Sequence, residues 1–325
     1  MTLEIRHLKT QFFTAKGVVP AVDDVTIEIP RGKIIGVVGE SGCGKSMTAM
    51  SVMQLVNRRG KIVDGSIRLE GRELLGLSAK EMRGIRGNDI AMIFQEPMTA
   101  LNPVYTVGRQ VREAILLHKN VSKAEAKERV LEIFRKVGIP EPEKRYNAYP
   151  HQLSGGLRQR VMIGMAMVCE PKLLIADEPT TALDVTIEAQ ILQLMKRLRD
   201  EHGTSILLIT HNMGVVAEVC DYVYVMYAGQ VMEEAETFEL FQNTAHPYTQ
   251  GLLRSIPQLN HGTERLYSIK GVVPNLLYLP KGCSFCTRCE YADARCQEER
   301  PNSYALGEEH RAKCFRCERG GSSSE

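Results

Sequence analysis

Gly39-Glu40-Ser41-Gly42-Cys43-Gly44-Lys45-Ser46 is the stretch that decides how this chain folds. Its spacing is that of a phosphate-binding loop, and it follows the apolar run Ile34–Val38 and precedes a helix predicted to start near Met47. Glycines let such a loop turn tightly, so that its backbone N–H groups face one anion while the next helix adds its positive N-terminal end. In such a cradle Lys45 contacts the β- and γ-phosphates of a nucleotide and the Ser46 hydroxyl ligates Mg²⁺. Gly39, Glu40, Ser41, Gly42, Cys43, Gly44, Lys45, Ser46 and Met47 are the candidate nucleotide-binding residues here, with Cys43 read as a small filler and not as a reactive thiol.

Working outward, Lys172-Leu173-Leu174-Ile175-Ala176-Asp177-Glu178 reads as another buried strand, ending in two carboxylates. That arrangement suits one acid, Asp177, to the Mg²⁺ shell and the next, Glu178, to the general base beside an attacking water. Ile206–Ile209 reads as a further parallel strand, separated from the first by the amphipathic helix Ile187–Arg199. Before the loop, Leu3-Glu4-Ile5-Arg6 and Val25-Thr26-Ile27-Glu28-Ile29 alternate as strands of an antiparallel sheet do. Between about residues 107 and 138 the apolar spacing becomes helical, through Val111, Ile115, Val130, Leu131, Phe134 and Val137. The predicted class is α/β with a parallel core sheet and a mostly helical insertion.

The 325 residues, 43% hydrophobic and 25% charged, suffice for one large or two modest domains with a sizeable core. Lys+Arg 41 against Asp+Glu 39 leaves a net charge of +2, too balanced for the basic footprint of a nucleic-acid binder, so no nucleic acid is expected as a partner. Apolar stretches such as Val161–Cys169 fall short of the about 18 residues that span a bilayer, and no charged-then-apolar leader is visible, so a soluble, cytoplasmic chain is expected. Beyond about residue 257 the composition turns to Pro, Gly, Cys and Arg, and Gly320-Gly321-Ser322-Ser323-Ser324-Glu325 reads as an appended remnant or a frayed tail. A domain boundary is placed near residue 258, dividing the chain into 1–258 and 259–325.

At Leu153-Ser154-Gly155-Gly156-Leu157-Arg158-Gln159-Arg160 the chain resembles the ABC ATPase family, whose signature it closely matches. The resemblance implies a P-loop NTPase with a RecA-like parallel-sheet core, an N-terminal antiparallel β subdomain, a helical subdomain at about 97–165 and a small Cys-rich C-terminal extension. It also implies, in the family's order, a glutamine at Gln95 that touches Mg²⁺ and the catalytic water, a loop Thr181-Ala182-Leu183-Asp184, and a histidine at His211 near the γ-phosphate. Ser154, Gly155 and Gly156 would contact the γ-phosphate held by a partner subunit, so two such domains would pair head to tail around ATP. Adenine would stack on Phe12, with Phe13 as the other choice. Met47, Glu96 and Asn212 depart from the commoner residues at their positions, and none of the three removes a catalytic group.

His246-Pro247-Tyr248-Thr249-Gln250-Gly251-Leu252-Leu253, Gly271-Val272-Val273-Pro274, Pro280-Lys281-Gly282-Cys283 and the stretch Phe94–Val107 are similar to the ATPases of peptide and nickel permeases. This resemblance implies an ATP-hydrolysing subunit of a dipeptide or oligopeptide importer, peripheral on the cytoplasmic face of the cell membrane. Its partners would be a second ATPase subunit, identical or related, two transmembrane permease subunits and, indirectly, an extracytoplasmic peptide-binding protein. Nickel chelates or glutathione are alternative cargoes, and a non-transport ABC ATPase is the alternative from another class.

Six of nine cysteines crowd into residues 283–317, which in a chain without a visible leader points to metal more than to disulfides. The permease pattern Gly-Cys-x-Phe-x-x-Arg-Cys, with further cysteines, maps onto Cys283, Cys289, Cys296 and Cys314 and implies a 4Fe-4S cluster held by thiolates. The spacing of Cys283, Cys286 and Cys289, joined by Cys314 or Cys317, is compatible with zinc, the alternative to the cluster.

Overall fold

Short runs of β-branched and aliphatic residues, buried on both faces, set the strands that carry the site; Ile34–Val38, Leu173–Asp177 and Ser205–Thr210 are buried throughout. The structure is a computed structural model and describes residues 1–95, 100–181, 184–256 and 267–318. It divides into two units, one of Met1–Leu3, Ile29–Lys33 and Gly76–Leu208, the other of Glu4–Glu28, Ile34–Leu75 and Ile209–Glu325.

In the first unit β6 (Ile90–Ile93) and β7 (Leu173–Asp177) run parallel, in register from Ile90↔Leu173 to Ile93↔Ala176, and β7 is followed in the sheet by β8 (Ser205–Thr210). Helices occupy Val107–His118 and Lys123–Lys136, within the stretch of helical spacing, and also Pro142–Tyr146 and Gly155–Met167 beyond it. Val107, Val111 and Ile115 are buried at one-turn intervals on the first of these, and Ala126, Val130 and Phe134 on the second. Ser122 starts the second helix by accepting the Glu125 N–H at 3.1 Å. The helix Val185–His202 buries Ile191, Leu194, Met195 and Leu198 and stops at Gly203, whose left-handed φ of 67° ends it.

In the second unit β2 (Gly17–Ile29), β1 (Leu3–Thr14), β4 (Gly60–Leu69) and β5 (Arg72–Glu73) form one sheet in that order. The buried positions of β1 change phase at His7, which has a φ of 49°, passing from Leu3 and Ile5 to Leu8 and Thr10. A second set of strands follows the order β11 (Tyr304–Ala305), β12 (His310–Ala312), β10 (Gln230–Glu236), β9 (Tyr222–Tyr227) and β3 (Ile34–Val38). β3 and β9 are parallel, and β9 turns back into β10 through Ala228-Gly229, both at positive φ, as a two-residue hairpin requires. β12 then adds antiparallel to β10 with Glu233↔Ala312, so residues from beyond 300 complete this sheet. The tail from residue 319, the boundary near 258 and the expected departure at Glu96 lie outside the described residues.

Candidate active site

β3 ends at Val38 and the chain enters the predicted loop, with the helix Lys45–Val52 directly behind it. A Cβ at Gly39, where φ is 150°, would stand 2.1 Å from the Met226 carbonyl oxygen, and one at Gly44, where φ is 105°, would stand 2.5 Å from that of Ala21. The loop is held from behind by the Gly229 N–H, which donates to the Cys43 carbonyl at 2.9 Å. Cys43 is fully buried and burial pushes its thiol up, in keeping with a filler. The Lys45 ammonium is 5% exposed and donates to the carbonyls of Gly39 at 2.7 Å and Glu40 at 3.0 Å, so it lies along the concave side of its own loop. Ser46 and Met47 fall on the first turn of the helix, both partly buried.

Each polar group of Glu40 has a partner in the same unit. Its N–H donates to the Tyr248 hydroxyl oxygen at 2.9 Å, its carbonyl accepts from Lys45, and its carboxylate receives two bonds from Arg288, Nη1 to Oε2 at 2.6 Å and Nη2 to Oε1 at 3.1 Å. Arg288 also donates from Nε to the Lys270 carbonyl at 3.0 Å. Phe285 packs against Tyr227 and Tyr248, with ring centres 5.2 and 5.3 Å away. His246 starts the helix Pro247–Arg254 by accepting the Tyr248 N–H on Nδ1 at 3.0 Å, and complete burial pushes its imidazole down to about 4, so it stays neutral.

In the first unit β7 ends at Asp177, which is 3% exposed, and Glu178 follows with a left-handed φ of 47°. A non-glycine residue in that conformation is strained, and the surrounding bonds fix it. Gln95 Nε2 donates to Glu178 Oε2 at 3.1 Å, and the Thr181 hydroxyl donates to the same oxygen at 3.0 Å. The structure thus gathers Gln95, Glu178 and Thr181 at one strand end. Ser154 caps the helix Gly155–Met167 by accepting the Leu157 N–H, Gly155 faces open space, and a Cβ at Gly156 would meet Ile187 at 3.2 Å. Ala182 and Leu183 lie outside the described residues.

His211 is exposed and belongs to the second unit. Asn212 after it caps the helix Met213–Val219, its Oδ1 accepting from Gly214 N at 2.9 Å and Val215 N at 3.4 Å. This departure from the commoner residue keeps a strong cap. Phe12 shares the face of Thr10, whose hydroxyl lies 2.8 Å from that of Ser51 on the helix behind the loop, and Phe12 also packs close to Gly60. Phe13 points the other way, 47% exposed with the Lys61 ammonium 6.0 Å from its ring centre.

Five cysteines, Cys283, Cys286, Cys289, Cys296 and Cys314, line a cavity of about 510 Å³ together with Arg295 and Arg316. Backbone pairing draws two of them together, with the Cys283 N–H donating to the Cys296 carbonyl at 2.9 Å. Burial raises the Cys283 thiol to about 12, whereas Cys314 is held down at about 7 by its bond from Cys317. Among the described residues no three His, Cys, Asp or Glu side chains converge as they would on a metal ion. The partners of Glu40, and Thr181 as a partner of Glu178, escape sequence reading. The available signal was that the cysteine pattern also specifies a phenylalanine and an arginine, the positions of Phe285 and Arg288.

The phosphate loop, the strand-end acids and the Ser-capped helix start are parts of an ABC-type ATPase, the class that the comparisons show. Residues 22–181 match the family described as ABC transporter, and residues 232–296 match the one described as oligopeptide/dipeptide transporter, C-terminal region. The oligopeptide transport ATP-binding protein AppD of Bacillus subtilis is 51% identical over 320 residues, covering 98% of both chains. The dipeptide transport ATP-binding protein DppD of Haemophilus influenzae is 46% identical over 312 residues, covering 96% of this chain and 94% of that one. A solved dimeric structure of the ATP-binding cassette MJ0796, in a post-hydrolysis state with ADP and Pi, is 26% identical with a TM-score of 0.65, covering 72% of this chain and 98% of that one. The chain belongs to the family of ATP-binding subunits of peptide ABC transporters. No helix among the described residues is long and apolar enough to cross a membrane.

Proposed function

We propose that this chain hydrolyses ATP to power uptake of dipeptides or oligopeptides, as a peripheral subunit on the cytoplasmic face of the cell membrane. The observation that carries the reading is the Glu178 carboxylate, fixed by Gln95 and Thr181 at the end of a buried strand in a chain with an intact phosphate loop. The peptide cargo is supported by relatives named for oligopeptide and dipeptide transport.

Backbone amides of residues 39–46 and the Lys45 ammonium bind the phosphates, and Phe12 stacks on adenine. Ser46, Gln95 and Asp177 would hold Mg²⁺, which would neutralise charge on the phosphate oxygens. Glu178 takes a proton from the attacking water, Gln95 and Thr181 keep its carboxylate aimed, and His211 attends the γ-phosphate. Ser154, Gly155 and Gly156 contact the nucleotide bound by a second ATPase subunit, so ATP closes the pair and hydrolysis reopens it against two membrane-spanning permease subunits. A peptide-binding protein outside the membrane delivers cargo to them.

The cysteine lobe, about residues 259–325, would be a metal-cluster extension in which Cys283, Cys289, Cys296 and Cys314 would hold a 4Fe-4S cluster. A single zinc ion needs four ligands within about 2.3 Å of one point, while the residues bearing these sulfurs are spread around a cavity of about 510 Å³. Bound there, the cluster would staple a segment too poor in apolar residues to fold alone.

The test is ATP-driven uptake by proteoliposomes holding this chain with its partner ATPase and permeases, supplied with binding protein and labelled peptide, nickel chelate or glutathione. Peptide uptake that disappears with Glu178→Gln supports the reading. Uptake of another cargo alone, or hydrolysis with no uptake, overturns the peptide assignment. Iron and sulfide in equal amounts on anaerobically prepared protein support the cluster, and zinc in their place overturns it.

A further inference from the structure

We propose that Arg288 is a positioning residue for nucleotide binding: from within the cysteine lobe it clamps Glu40 of the phosphate loop, so that ATP affinity depends on the state of that lobe. Dependence on metal rests on the cluster reading above; the Arg288–Glu40 link does not.

The bond is a two-pronged guanidinium–carboxylate fork, the form that fixes direction as well as charge. The Arg288 side chain is 3% exposed, which sets it apart from surface pairs that solvent screens. Its remaining contacts immobilise the fork, with Nε on the Lys270 carbonyl, Nη2 3.3 Å from that of Ile269 and Nη1 3.4 Å from the Tyr227 hydroxyl.

Two consequences reach the phosphates. Glu40 lies between Gly39 and Ser41, so turning its peptide would re-aim the N–H groups of the cradle; the fork and Tyr248 oppose that turn from two sides. Its carboxylate is also an anion in a loop that binds anions, and Arg288 cancels that charge.

The clamp is anchored where the cysteines are. Arg288 directly precedes Cys289, Phe285 directly precedes Cys286, and both cysteines line the cavity. Phe285 packs on Tyr248, so the main-chain and side-chain holds on Glu40 both come from or lean on this segment. A group bound by the cysteines would further fix the backbone that carries Arg288, and its loss would loosen the fork.

The experiment is equilibrium binding of ATP without Mg²⁺ to the full chain, with iron, sulfide and zinc content and a thermal melt recorded for every preparation. Arg288→Met weakens binding about tenfold, within the range of ordinary coupling between sites, and raises the KM for ATP far more than it lowers kcat. Arg288→Lys, which keeps the charge and loses the fork, falls between. Adding Glu40→Gln to Arg288→Met recovers most of the loss, because the uncancelled anion is gone, and this pair keeps the proposal testable if the single variant is poorly folded. Binding by Arg288→Met within twofold of the parent, or no recovery in the double variant, overturns the clamp. Removing iron weakens ATP binding more in the parent than in Arg288→Met, which keeps only the hold through Phe285 and Tyr248. If iron removal has no effect in the parent while the double variant recovers, the dependence on metal is overturned and the positioning role stands. If no preparation contains metal, the cluster reading has failed and the double variant alone decides for or against the clamp.

Discussion

Gln95 Nε2 donates to Glu178 Oε2 at 3.1 Å, so the glutamine at the end of β6 and the acid just beyond β7 are joined directly. The two strands are parallel neighbours, which makes the distance between their ends a property of the sheet. The proposed Mg²⁺ ligand is thereby tied to the proposed general base.

Replacing that base by Glu178→Gln keeps its size and removes its ability to take a proton. ATP binding is retained, steady-state hydrolysis falls by about 10²–10⁴-fold, and ATP accumulates in a closed pair of subunits. Turnover and gel filtration with ATP check this, and unchanged turnover removes Glu178 from the role.

Thr181→Val deletes the hydroxyl bond to the Glu178 carboxylate while keeping the side chain's shape. The expected result is a kcat lower by about tenfold to a hundredfold, the scale of a slightly misplaced catalytic group, with the KM for ATP unchanged. A rise in KM instead would place Thr181 in nucleotide binding.

Two loop glycines separate strain from crowding. Gly42, with a φ of 79°, has nothing within 4 Å of an added Cβ, so Gly42→Ala costs only the left-handed backbone, about 1–2 kcal/mol. Gly39→Ala adds a clash with the Met226 carbonyl, a further cost of about 1–3 kcal/mol by overpacking. Thermal melts of the two variants should therefore rank Gly39→Ala well below Gly42→Ala, and equal melting temperatures would contradict the packing.

His310, on β12, places Nε2 2.9 Å from Glu233 Oε1 and Nδ1 3.4 Å from Glu239 Oε1. The bond to Glu233 raises its imidazole above the ordinary value of 6.5, against the pull of burial. A group raised on folding stabilises fully below its unfolded value, and that stabilisation is lost as pH rises through the folded value. The melting temperature of the parent relative to His310→Gln is predicted to be highest near pH 6 and to shrink as pH rises above 6.5. A difference that grows with pH would reverse the assignment.

Local patterns carried most of the reading. The loop at 39–46 depends on glycines whose need is backbone geometry within eight residues, and β7 and β8 show as unbroken apolar runs. β12 did not show, because three residues, His310–Ala312, have no period to detect, and pairing with Glu233 is chosen by tertiary contact. Phe12 and Phe13 could not be told apart by spacing alone, since an aromatic on either face of a strand suits both core and ligand. The arginine beside Cys289 stood in plain view within the cysteine pattern, and what hid its role was distance along the chain.

That distance has a meaning for biosynthesis. Glu40 and Arg288 are 248 residues apart, so a ribosome adding about 5–20 residues per second emits the arginine about 12–50 s after the glutamate. Through that interval the nascent chain carries a complete Gly-rich motif whose carboxylate has no counter-charge from Arg288, and whose peptide is not held through Tyr248 until that residue too emerges. On the clamp proposed for Arg288, the newly made polypeptide acquires its full grip on ATP only late in translation, when the stretch bearing the cysteines has arrived and folded.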